Sequence, residues 1–258
     1  SWGKRLIDWL NTYTFPEEAR FADPDYSRTI AGRYLDLTAA NGTTTVASFA
    51  TIHAHSVDAL FEAAQMRGQC VVTGKTCMDR NAPDDLRDTA QTAYDDSKSL
   101  IGRWHGTGRA QYAITPRFSP TSTPEQLSAL GALWAEHPDC LMQTHLSEQP
   151  DEVAWVAELF PEARDYLDTY EALAEVQGRV IHCPTSNAFI GSGALNLPRL
   201  AARGVPLGLA TDTGGGSSFS MLRTMAAAYE AAQHHGGPLH AAQLMWLATE
   251  GAARSLHM

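Results

Sequence analysis

Cys140-Leu141-Met142-Gln143-Thr144-His145-Leu146-Ser147-Glu148 is a short apolar run that ends in an imidazole, with a carboxylate three residues further on. Pro150 to Leu159 follows with a helical pattern, so the run predicts a buried strand feeding a helix. The same order recurs along the chain. Thr43 to Phe49 is β-branched and follows the Asn41-Gly42 stop signal; Val57 to Met66 then reads as a helix. Cys70 to Gly74 precedes a largely helical Leu86 to Trp104, and Ala110 to Thr115 is a strand stopped by Pro116. Thr123-Pro124 opens another helix, with Thr123 as cap and Pro124 in the first turn. Arg179 to Cys183 and Val205 to Ala210 are two more strands, and Ser220 to Ala232 and Ala241 to Leu247 are helices.

Repeated strand–helix alternation predicts an α/β fold with a parallel sheet. A closed barrel and an open doubly wound sheet share that pattern. His53, Asp79, Arg117, His145, His182 and Asp212 all fall just after strands, which in a barrel is the catalytic end. Gly214-Gly215-Gly216 lacks the spacing of a dinucleotide-binding loop.

Composition narrows the class. The chain has 258 residues, 44% hydrophobic and 19% charged, enough for one barrel domain over 1–258. A formal net charge of -10 argues against nucleic acid as a partner. No stretch approaches the roughly 20 apolar residues of a membrane span, and polar Asp8, Asn11 and Thr12 interrupt any signal-like core. Cys70, Cys77, Cys140 and Cys183 are scattered, which favours buried thiols in a reducing, cytoplasmic compartment. Ser1 rather than Met opens the chain, so its start is not expected to be a natural one.

His145 and Asp212 are the candidate metal ligands, each at the end of an apolar run. A hydrolytic zinc site uses imidazole and carboxylate donors and keeps one position for water, whose proton a nearby carboxylate can carry. Spacing alone leaves Glu148 as that proton carrier or as a cap on the helix beginning near Pro150. It leaves Asp212 as a ligand or a turn residue, Arg117 as a binding or ion-pair residue, and Phe118 as a stacking or core residue.

Six stretches carry a resemblance. They are Asp8 to Glu17, Met78-Asp79-Arg80-Asn81-Ala82-Pro83, Thr115-Pro116-Arg117-Phe118, Thr144 to Glu148, His182-Cys183-Pro184-Thr185-Ser186-Asn187 and Thr211 to Gly216. In this order they make the chain resemble the guanine deaminases of the amidohydrolase superfamily, nearly end to end. The resemblance implies a (β/α)8 barrel of the TIM type, one zinc per chain, a purine substrate and a homodimer. It implies that His145 on the fifth strand and Asp212 on the eighth bind zinc, and that Glu148 and Asp212 move protons. Arg117, Phe118, His145 and Glu148 would surround the purine.

The chain also departs from that pattern. The family's first-strand H-x-H is expected upstream of Asp8, where there is no histidine; the chain would begin just after that strand. His53-Ala54-His55 follows the second strand and is not its substitute. A histidine of the sixth strand is missing too: a segment is expected to be absent near Glu171/Ala172, as is the terminal β-sandwich after His257-Met258. Two other readings therefore stand beside guanine deamination. One is a deaminase or chlorohydrolase of another aminated ring, such as a pterin, cytosine or triazine. The other is a catalytically dead binding or assembly module.

Overall fold

A computed structural model describes residues 3–173 and 178–258, apart from the side chains at 171–173. The position 171/172, where a break is expected, falls within the 3-10 helix Leu167–Leu173; residues 174–177 just after it lie outside the described residues. The chain gathers into two compact units: Leu10–Val176, and Ser1–Trp9 with Gln177–Met258.

The larger unit is built on a parallel sheet. Its strands are β1 (Thr45–Phe49), β2 (Cys70–Gly74), β3 (Thr76–Cys77), β4 (Ala110–Pro116) and β5 (Leu141–Met142). β1 pairs β2, and β4 takes β2 and β3 on one side and β5 on the other. Val71 faces Ala110 and Thr76 faces Thr115, the same register, so β2 and β3 are one strand interrupted at Lys75. β2 is buried along its whole length, which is why it reads as an unbroken apolar run instead of an alternating one. At the interruption a Cβ on Gly74 would lie 1.8 Å from the Ala113 carbonyl oxygen, so only glycine lets the strands approach. Lys75, 2% exposed, turns inward and pairs with Asp88, whose other oxygen accepts from Gln126 Nε2 at 2.7 Å.

Helices Ala54–Arg67, Ala90–Trp104, Pro124–Glu136 and Pro150–Leu159 follow the strands as the sequence predicts. Ala90–Trp104 starts later than expected because Thr89 caps it, accepting from Thr92 N–H at 3.1 Å; Asp84–Leu86 is a separate turn. Helix Pro24–Ala40 was not legible. Its buried face is Ser27, Ala31, Leu35 and Thr38, and two polar members conceal the helical period. The core joins Leu35, Val57, Phe61, Val71, Leu100, Tyr112, Ile114, Leu127 and Leu130.

The smaller unit pairs β6 (Val180–His182) with β7 (Leu207–Leu209), also in parallel. Helices Met221–His234 and Ala241–Ala248 bury Ala228, Leu244 and Leu247 against Leu209. His182 is 2% exposed, and neither ring nitrogen meets a hydrogen-bond partner among the described residues. Burial depresses its pKa from 6.5 to about 4. No described helix is long and apolar enough to cross a membrane, and none of the four cysteines forms a disulfide.

Two predictions follow from these contacts. Gly74→Ala forces the sheet apart at β4 and should lower stability by about 3 kcal/mol in urea titration. The His182 imidazole is held neutral in the folded chain, whereas the unfolded chain protonates below about pH 6.5. Its contribution is therefore complete above that pH and is lost as pH falls towards about 4. The full change is on the order of 3 kcal/mol, and a His182→Gln variant should show a correspondingly flatter dependence of its urea midpoint.

Candidate active site

The end of β5 carries the best-defined part of the site. The β4–β5 ladder runs past its last strand pair: Gln143 N–H donates to Ile114 O at 3.0 Å, and His145 N–H to Arg117 O at 3.0 Å. The same Arg117 oxygen lies 2.9 Å from His145 Nδ1. A carbonyl only accepts, so Nδ1 carries the proton and the lone pair sits on Nε2. This is the tautomer of a metal-binding imidazole steadied by a backbone carbonyl. The Phe49 ring, at the end of β1, lies 4.3 Å from the imidazole centroid.

Beyond His145 the chain turns sharply. Ser147 adopts φ +54, the left-handed region that non-glycine residues rarely occupy. Glu148 follows, half-buried. The carboxylate capping helix Pro150–Leu159 belongs to Glu152, not to Glu148: Glu152 accepts the Gln149 N–H at 3.0 Å and the Glu148 N–H at 2.7 Å. The capping alternative for the Glu148 side chain thus loses its main support. Gln149-x-x-Glu152 has capping-box spacing and was a signal available in the sequence.

Arg117 stands at the end of β4 and is 9% exposed. Its Nη1 donates to both oxygens of Glu18, at 2.7 and 2.8 Å, and its guanidinium carbon lies 5.3 Å from the Phe15 ring centroid. Both partners come from helix Phe15–Ala19, which orients the guanidinium. Nothing in the local sequence marks Glu18, because the pair is 99 residues apart. Phe118 is buried at 3% exposure. The Met78–Pro83 motif clasps the loop that follows it. Asp79 accepts from Thr123 N–H at 2.7 Å and from the Thr123 hydroxyl, Arg80 Nη2 donates to Ser119 O at 3.0 Å, and Asn81 Nδ2 to Pro120 O at 2.8 Å. Asp79 is accordingly an anchor for this loop.

Asp212 belongs to the smaller unit, three residues past β7. It is exposed and adopts φ +44. Gly216 N–H returns to Asp212 O, and a Cβ on Gly216 would come within 2.6 Å of Thr211 O. Gly216 therefore serves the tight turn that presents Asp212.

His145 and Asp212 are the right donor types for zinc, and the His145 tautomer fits, but a zinc site needs at least one further protein donor. The other histidine clusters do not replace it. His55 Nε2 is engaged with Phe21 O at 2.7 Å, and its ring stacks on His53 at 5.5 Å. His53 has a depressed pKa, from burial first and then from His55. His105, Asp139 and Cys140 also gather their ligand atoms within 4.8 Å. There, however, Tyr112 N–H donates to His105 Nδ1 at 3.0 Å, so Nε2 holds the proton and points it at Asp139. That tautomer opposes metal at Nε2.

The amidohydrolase family profile matches residues 3–258, and the chain belongs to the amidohydrolase family. Within it the chain is similar to guanine deaminases. It is 43% identical to the guanine deaminase of Escherichia coli K12 over 279 positions, covering 99% of this chain and 64% of that protein. Since 279 exceeds 258, that relative carries residues that this chain lacks within the aligned stretch. The chain thus spans somewhat less than two thirds of such a relative. The solved E. coli guanine deaminase superimposes with a TM-score of 0.96 at 42% identity, covering 100% of this chain and 65% of that one. The guanine deaminase of C. acetobutylicum, solved with guanine in its active site, gives 0.93 at 30% identity, covering 97% and 68%. The fold is accordingly the (β/α)8 barrel type of the amidohydrolases, with an open sheet among the described residues.

Glu18→Ala should strand the Arg117 charge in a largely buried position and cost about 3 kcal/mol. A double-mutant cycle with Arg117→Ala in urea should show clear coupling between the two.

Proposed function

We propose that this chain carries the hydrolytic deamination of guanine, in which guanine and water give xanthine and ammonia. The observation that carries the reading is the end of β5: His145 held as the Nδ1–H tautomer by Arg117 O, with Glu148 three residues on. Similarity to guanine deaminases over nearly the whole chain supports it. Zinc, when bound, lowers the pKa of water to near neutrality and so supplies a nucleophile. His145 and Asp212 would hold it. The oriented Arg117 guanidinium can donate to the carbonyl and ring-nitrogen acceptors of the purine, and Phe118 belongs to the same binding wall. Asp212 takes a proton from the attacking water and passes one to the departing ammonia. Glu148 delivers a proton to the ring nitrogen next to the reacting carbon.

The same proposal includes residues 1–258 as one barrel domain, with a segment missing near 171/172; the extra residues of the E. coli relative support an omission somewhere within the aligned stretch. It also includes a homodimer in the cytoplasm, where the absence of disulfides suits a reducing compartment.

One observation favours a second reading. His145 and Asp212 are two donors where a zinc site uses at least three, and His55 is engaged elsewhere. A binding module without turnover would fit that shortage. Metal analysis and ammonia release separate the two. About one zinc per chain with ammonia formed from guanine supports the enzyme; purine binding that is insensitive to chelator, without ammonia, supports the module. A panel with pterin, cytosine and triazine substrates tests the ring. In the active enzyme Glu148→Gln should lower kcat by at least about 100-fold and leave purine binding within about twofold, measured by ammonia release and calorimetry.

A further inference from the structure

Glu152 makes more contacts than a helix cap requires. A capping box needs one bond from the third helical residue to the N-cap N–H, and the Gln149 N–H supplies it. The same carboxylate also accepts the Glu148 N–H at 2.7 Å, one residue outside the helix, and the hydroxyl of Tyr166 on its other oxygen. Glu152 is fully buried, so each donor replaces hydration the carboxylate has lost. Tyr166 lies nearly parallel to Tyr170, centroids 6.4 Å apart. The Tyr170 hydroxyl is 2.9 Å from Thr144 Oγ1 and donates to His145 O at 3.4 Å. Burial first raises the pKa of both tyrosines, that of Tyr170 to about 12, so both keep their protons at neutral pH.

We propose that Glu152, Tyr166 and Tyr170 are positioning residues that clamp the loop His145–Gln149 from both ends and so hold the Glu148 carboxylate in place. This rests on the role given above to Glu148. It also gives the segment Arg164 to Tyr170 a purpose beyond connection: two of its side chains support the strand end that bears His145.

Hydrogen exchange on the full 258-residue chain tests the clamp independently of turnover. In Glu152→Ala the amides of Glu148 and Gln149 should exchange at least about tenfold faster, while those of β2 keep their protection. Tyr166→Phe, which removes one hydroxyl, is the gentler variant and should speed the same two amides about threefold. Unchanged exchange at these two amides in both variants overturns the clamp, as does acceleration spread evenly over β2. With guanine as substrate, Tyr166→Phe should lower kcat about tenfold with KM within twofold. Faster loop exchange with an unaltered kcat overturns the positioning role. A parent chain without turnover overturns the guanine reading alone, and the exchange result then still decides the clamp.

Discussion

The carbonyl oxygen of Arg117 is the constraint on which the described site depends. It accepts the His145 N–H at 3.0 Å, faces His145 Nδ1 at 2.9 Å and takes the Thr144 hydroxyl at 3.3 Å. The parallel β4–β5 pairing places it there, because the ladder that joins Ile114 to Met142 continues beyond the strand ends. One backbone atom therefore fixes where the imidazole sits, how it is turned and which nitrogen bears the proton. Its own residue is held in turn: the Arg117 side chain is pinned by Glu18, and the loop after Phe118 by Asp79, Arg80 and Asn81.

Rigidity of this kind suits acid–base work, where a displacement of about 1 Å can cost 100-fold in rate. The two strand ends that bear the candidate carboxylates share a local cost. Ser147 beside Glu148 and Asp212 itself occupy the left-handed region, at φ +54 and +44. Such conformations cost on the order of 1 kcal/mol or more and persist where surrounding contacts determine them. Around Ser147 those contacts are the Arg117 oxygen on one side and Glu152 on the other; around Asp212 they include the return bond from Gly216.

Local chemistry carried much of the fold in legible form. β2 shows itself as a continuous buried run, Thr123 and Pro124 as a helix start, and Asn41-Gly42 as a helix stop. Each depends on neighbours a few residues away. Helix Pro24–Ala40 escaped because its buried face includes Ser27 and Thr38, whose polarity is satisfied by Phe21 O and Leu35 O. The kink at Lys75 escaped as well, since a buried lysine is stable only through Asp88, 13 residues away.

For the site, the sequence by itself determined residue types and their order: an imidazole after β5, a carboxylate three residues later, an aspartate before glycines after β7. These follow from alternation and spacing, which are properties of the chain alone. Only the tertiary structure decided which nitrogen of His145 is protonated, that Glu18 orients Arg117, and that His55 and His105 are engaged by Phe21 O and Tyr112 N–H. For His145, Arg117 and His55 the partner lies 28, 99 and 34 residues away and is brought within 3 Å by the fold. Hydrogen-bond direction and charge pairing act through space, so spacing along the sequence does not carry them.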